Sequence, residues 1–194
     1  MPKRIRIIAG LGNPEAKYER TLHNAGFWFV DALADKYGGD FRLDKKFGAE
    51  HCRINLDGDD VWLVKPQNYM NMSGGPVRAV LDYYRLHVGD LLVAHDEIDL
   101  PPGTVRLKDA GGHGGHNGIR DVIQHCGAEF LRLRIGVGHP GEKSKVTSYV
   151  LKPGSSEVEN AIETSITEAV EVMPLLLDQG LSAAQKALHT KESD

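Results

Sequence analysis

The sequence predicts an α/β protein: a single domain over 1–194, built on a mixed, twisted β-sheet with α-helices on both faces. Three observations predict it. Short β-branched runs alternate with stretches whose apolar residues recur at helical spacing, the order of elements found in α/β folds. The runs stop at glycine or at polar clusters, where turns form. No repeat, low-complexity tract or long linker divides the 194 residues, and a 41% hydrophobic content suffices for one substantial core.

RIRIIAG (4–10) is a β-branched run that ends at glycine, so a strand enters the loop GLGNP (10–14). After Asn24, the residues Phe27, Val30, Leu33, Ala34 and Tyr37 recur at helical spacing until Gly38 and Gly39 close the pattern. AEHCRINL (49–56) and VWLV (61–64) flank DGDD as the arms of a hairpin. Ser73 reads as the N-cap of a helix carrying Val77, Val80, Leu81 and Tyr84 on one face. LLVAH (91–95) is the next strand and ends at the acidic cluster DEID. Residues 104–108 suit a strand before GGHGGHNG (111–118), 119–125 a short helix after it, and LRLRIGVG (131–138) a further strand. Val158, Ile162, Ile166, Ala169 and Val170 place a helix over 156–177, with acids on its exposed face.

Cys52 and Cys126 stand far apart with no CxxC pair, and the opening MPKRIRIIAG lacks an apolar signal core, so neither a disulfide framework nor a secretory leader is indicated. No apolar run approaches the roughly 18 residues that suggest a membrane span. A protein of the reducing cytoplasm is expected. The net charge of −4 by itself argues against a nucleic-acid partner, but the charge is unevenly arranged. Arg106, Lys108, Arg120, Arg132, Arg134, Lys143 and Lys145 outnumber Asp109, Asp121, Glu129 and Glu142 in one zone, while the C-terminal stretch is acidic. Such a zone is either a phosphate footprint or a solvated mixed-charge surface.

GGHGGHNG sits inside that zone, and three readings of it compete: a phosphate cradle, a metal loop, or the hydrogen-bonding wall of an organic site. No segment supplies the GxxxxGK of a P-loop, and the GxGxxG match GVGHPG (136–141) carries Pro140 where a dinucleotide motif opens a helix. His113 and His116 form HxxH, and His95, Asp96, Glu97 and Asp99 crowd another strand end. Ligands on a glycine loop are poorly oriented, however, and neither HExxH nor paired zinc spacing is present. The metal-free reading draws on Asn13, His23, Asn71, Asp96 and Asn117, several of them at strand ends, where open α/β sheets bind ligands. Each alone reads equally well as a turn former or a structural histidine.

GLGNP (10–14) with Tyr18, RTLHNAG (20–26), PQNYMNMSG (66–74), VAHDEIDLPPG (93–103), GGHGGHNG (111–118) and RLRIGVGHPGEKSKVTSYVL (132–151) resemble, in order and over nearly the whole chain, the peptidyl-tRNA hydrolases of bacteria. The resemblance implies cleavage of the ester between a peptide and the terminal ribose of tRNA, with tRNA recycled after drop-off or stalling. It implies His23 as the general base for water, Asp96 as its carboxylate partner, and Asn117 in support of the transition state. Asn13 would distinguish an acylated amino group from a free ammonium, and Met70 would line the peptide crevice. Tyr18, Tyr69, Asn71, His116 and Asn117 would contact tRNA, with Tyr69 standing where phenylalanine is common in the family. Lys108, Arg134 and Lys143 match the family's acceptor-stem phosphate contacts, while His113 reads as a loop residue. The partner is peptidyl-tRNA, through its acceptor stem, 3′ end and nascent peptide. No cofactor, metal or membrane is implied, and a monomer is expected. Two other readings remain: an RNA-binding relative without catalysis, and a metallohydrolase that a chelator would silence.

Overall fold

Strand β1 (Ile7–Gly10) lies in the middle of a seven-stranded sheet in the computed structural model, which describes residues 4–190. The ends of the expected domain, residues 1–3 and 191–194, lie outside the described residues. β1 has parallel neighbours on both sides, β4 (Asp59–Pro66) and β5 (Leu91–Glu97). Both of its faces are covered, which is why it is apolar throughout instead of alternating. β3 (Ala49–Leu56) pairs antiparallel with β4, and β2 (Arg42–Asp44) closes that edge. On the other side β7 (Leu131–Gly136) runs parallel to β5, and β6 (Val105–Asp109) is an antiparallel edge strand. The order β2-β3-β4-β1-β5-β7-β6 is therefore mixed.

Helices α1 (Ala25–Tyr37), α5 (Ser156–Gln179) and α6 (Leu181–Thr190) pack on one face, and α2 (Gly74–Tyr83) and α3 (Asn117–Cys126) on the other. Alternation along β1 and β5 feeds both cores: Ile8 and Leu92 point to the α1 side, Ile7, Ala9, Leu91 and Val93 to the α2 side. A one-turn helix α4 (Val146–Val150) follows the HPG loop. Among the described residues no helix is long and apolar enough to cross a membrane.

Three local expectations change. The turn between β3 and β4 is only Asp57-Gly58, both at positive φ (49° and 107°), the requirement of a two-residue hairpin whose twist matches its strands. Ser73 does not cap α2: it is buried in helical conformation, and its hydroxyl donates to the Met70 carbonyl at 2.7 Å. The amide of Gly74 instead donates to Asp121 Oδ2 of α3 at 2.8 Å, so the cap comes from the neighbouring helix. α3 itself starts two residues earlier than its apolar pattern suggests, at Asn117.

One close contact positions the site. A β-carbon on Gly26 would lie 2.4 Å from the Ala94 carbonyl oxygen, and one on Gly10 would lie 2.2 Å from the Gly26 oxygen. Only bare backbone lets the start of α1 press onto the ends of β1 and β5. That contact sets His23 and Asn24, in the 3-10 turn that leads into α1, beside Asp96 at the end of β5.

Candidate active site

The ends of β1, β4 and β5 and the start of α3 surround a cavity of about 640 Å³. It brings together Asn13, His23, Met70, Asn71, Asp96 and Asn117, with Tyr69, His116 and Lys143 also on its wall. Tyr18, Lys108 and Arg134 do not line it. A second cavity of about 690 Å³ lies on the other side of Asn13. Glu15, Glu19, Asp31, Glu50, Glu159 and Glu163 line it and outnumber Arg20 and Lys65, a field that repels phosphate, whereas the first cavity holds His23, Asp96 and His116.

Asp96 is buried, and its two oxygens are divided between two imidazoles. His23 Nδ1 donates to Oδ2 at 2.8 Å and His116 Nε2 donates to Oδ1 at 2.8 Å. The tautomer of His116 follows from its other nitrogen, which caps α3. Nδ1 accepts from the amides of Gly118 (3.1 Å) and Ile119 (3.2 Å), so the ring proton must be on Nε2. His23 uses Nδ1–H on Asp96, which leaves the lone pair of Nε2 for the cavity. His95 points the other way: buried, its Nδ1 donates to the Asp96 carbonyl at 2.8 Å. Burial, reinforced by the neighbouring His116, pushes its pKa down to about 3, so it stays neutral.

Burial would raise the Asp96 pKa, but the charges and N–H bonds of His23 and His116 outweigh it and hold the carboxyl far below the usual carboxylate range. Burial likewise disfavours the His23 imidazolium. The Asp96 charge and hydrogen bond outweigh that too, so the His23 pKa lies above its ordinary 6.5. His23, Asp96 and His116 offer ligand atoms within 4.8 Å of one another, a spacing a metal could use. The proton on His116 Nε2 denies it that ligand, and both oxygens of Asp96 already accept N–H bonds.

Asn13 is held from two directions. Asn24 accepts from its backbone N–H at 2.8 Å and donates to its carbonyl at 3.0 Å, while Asn13 Oδ1 accepts from the Met70 N–H at 2.7 Å. What Asn13 offers a ligand is therefore its NH₂. Asn24 escaped the sequence reading, because a buried asparagine that clamps a loop has the same local context as a turn former. Asn71 and Asn117 are exposed on the cavity wall, and Met70 is mostly buried in it. Both ring nitrogens of His116 are engaged internally, so neither remains for the RNA contact expected of it. Tyr69 is exposed, and its hydroxyl near Glu15 holds the Glu15 pKa below its ordinary value, an influence that a phenylalanine could not exert.

The basic zone divides by strand alternation. Val105, Leu107, Leu133 and Ile135 face the α5 core, so Arg106, Lys108, Arg132 and Arg134 project from the opposite face. Arg106 lies across from Arg134, and Lys108 across from Arg132. They are not equivalent: Lys108 is exposed, Arg134 donates to Glu97 on the cavity wall at 2.9 Å, and Arg132 is buried.

Known proteins are similar to this chain over nearly its whole length. A family model described as peptidyl-tRNA hydrolase matches residues 7–194. The peptidyl-tRNA hydrolase of Nitrosospira multiformis is 48% identical over 189 residues, covering 97% of this chain and 99% of its own. That of Halorhodospira halophila is 49% identical over 185 residues, covering 95% of each. The crystal structure of peptidyl-tRNA hydrolase from Acinetobacter baumannii superposes with a TM-score of 0.94 at 44% identity, over 97% of this chain and 96% of that one. With the match running through the sheet and every loop that lines the cavity, the chain belongs to the peptidyl-tRNA hydrolase family.

Proposed function

We propose that the chain hydrolyses the ester of peptidyl-tRNA, with water as nucleophile and His23 as general base. The observation that carries this reading is the His23–Asp96 pair, with Nδ1–H on the carboxylate and Nε2 left for the cavity. Water is a poor nucleophile at neutral pH, and an imidazole held this way removes its proton as it attacks the ester carbonyl. Asp96 stabilises the imidazolium that forms, which then returns the proton to the departing ribose oxygen. The amide groups of Asn117 and Asn71 donate to the developing oxyanion and to the peptide. The NH₂ of Asn13 can donate to the carbonyl of an N-acyl group, whereas a free ammonium offers no acceptor and brings a like donor. Met70 supplies the apolar wall.

Lys143 on the rim, Lys108 beside the glycine loop and Arg134 behind it suit the phosphates of an acceptor stem, with Tyr18 and Tyr69 on the tRNA side. Lys108→Ala, Arg134→Ala and Lys143→Ala are each expected to weaken tRNA binding and to reduce the slope of log K against log salt by about one. Unchanged slopes in all three would remove the assignment. The same reading makes the chain a single-domain, metal-free monomer of the cytoplasm.

The deciding experiment is release of N-acetyl-amino acid from N-acetyl-aminoacyl-tRNA in chelator-containing buffer. Wild type is expected to cleave, and folded His23→Ala to lose about 10²–10⁴-fold in rate. Because the active base is neutral His23 and its pKa is raised, wild-type kcat/KM is expected to fall on the acid side with a midpoint above 6.5. An inactive wild type would favour RNA binding without catalysis, and an equally active mutant would remove His23 from the chemistry.

A further inference from the structure

We propose that Arg132 is a positioning residue: its buried guanidinium fixes the glycine loop so that His116 reaches Asp96 and Asn117 reaches the cavity. The inference rests on the hydrolase reading for its kinetic consequence, but not for its geometry. Arg132 is only 2% exposed, and the carboxylates of Asp109 and Glu129 lie near enough to favour its charge. Burying a cation is costly unless its hydrogens are also satisfied, so what they hold is informative. Nη1 donates to the Gly112 carbonyl at 2.6 Å, and Nη2 to the carbonyls of Gly111 at 2.7 Å and Ala128 at 3.1 Å. The Phe130 ring lies 4.3 Å from the guanidinium carbon, and Nε has no partner among the described residues.

The carbonyls of Gly111 and Gly112 belong to a bend. Ala110 (φ 58°) and Gly111 (φ 107°) are successive left-handed residues where the chain leaves β6. Without the guanidinium, the carbonyls of Gly111 and Gly112 would lose their tie to β7. Beyond the bend the loop braces itself: Gly115 N donates to His113 Nδ1 at 2.9 Å, and His116 N to the His113 carbonyl at 3.0 Å. His116 then caps α3. The segment 113–119 is thus braced by its own hydrogen bonds, and Arg132 ties the two residues before it to the sheet. A planar fork suits this task, because a lysine presents a single point of attachment.

The groups facing His23 are Asp96 of β5, His116 at the start of α3, His95 behind it, and Lys143 on the cavity rim. If the loop loosens, His116 withdraws its N–H from Asp96. The carboxylate is then left to His23 alone, the imidazolium is better stabilised, and the base loses its proton only at higher pH. Asn117 moves at the same time, and a displacement of an ångström in a substrate-positioning group costs about 10²-fold.

The test compares Arg132→Lys and Arg132→Met with wild type in kcat, KM, the pH profile and the ¹⁵N titration of the His23 ring, with melting curves to establish the folded fraction. Expected are a fall of about 10²-fold in kcat for Arg132→Met, a smaller one for Arg132→Lys, and a His23 midpoint moved to higher pH in both. Millimolar guanidinium, but not equal sodium chloride, should restore part of the rate of Arg132→Ala. Three results would overturn the proposal: lower melting temperature with unchanged kcat and His23 midpoint, a loss confined to KM with a reduced salt slope, or no guanidinium rescue. An inactive wild type would sink the hydrolase reading, yet the His23 titration would still decide the positioning role.

Discussion

Asp96→Asn is expected to leave the fold intact and to lower kcat/KM by about 10⁴-fold, the loss that follows when the carboxylate orienting a catalytic imidazole becomes its amide. The direction can be derived from the two histidines. An asparagine side chain offers one acceptor and one NH₂, so it can accept from only one ring and must donate toward the other. His116 cannot become an acceptor at Nε2, because the amides of Gly118 and Ile119 require a lone pair on Nδ1. The amide oxygen is therefore committed to His116, and the NH₂ turns to His23. His23 must then accept at Nδ1 and carry its proton on Nε2, the nitrogen that should receive the proton from water. Nitrogen-15 shifts of His23 measure this directly: the Nε2–H tautomer is expected in the variant and Nδ1–H in wild type. An active variant with the wild-type tautomer would contradict both the proton chain and the proposed base.

Gly26→Ala is expected to destabilise the protein by about 3 kcal/mol or more, beyond the usual cost of an added core methylene. Its β-carbon would meet Ala94 O at 2.4 Å, Leu11 N at 2.6 Å and Leu11 O at 2.7 Å, all backbone atoms of the sheet or the loop leaving it. Side chains can change rotamer to make room, but these atoms are held by strand pairing. At this chain length the melting temperature should fall by roughly 6–12 °C. A loss below about 1 kcal/mol would mean that α1 can lift from the sheet freely.

The strands of the centre were legible because burial on both faces leaves a signature in composition: IIAG and LLVAH admit few other readings. The edges were less so. β2 is three residues long with Leu43 exposed, too short to show alternation, and it went unnoticed. At the site, residue types and their place at strand ends indicated Asn13, His23, Asn71, Asp96 and Asn117, but nothing local shows that Asp96 would serve two rings. Histidine is not among the common N-capping residues, so the capping role of His116 had no local signal. Conversely, Ser73 had the right type and the wrong conformation, since the acceptor for α2 comes from Asp121, far along the chain. The basic zone was visible as charge, yet its division into exposed, paired and buried members depends on the β6–β7 register, which charge counting ignores.

Active-site residues usually set activity against stability, because they are held in arrangements the fold would otherwise relax. His116 inverts that relation. One ring nitrogen caps the start of a helix and the other donates its N–H to the carboxylate, so a substitution there forfeits both at once. In a population of variants screened for heat resistance alone, position 116 should therefore remain histidine, and selection on robustness would preserve the chemistry without ever testing it.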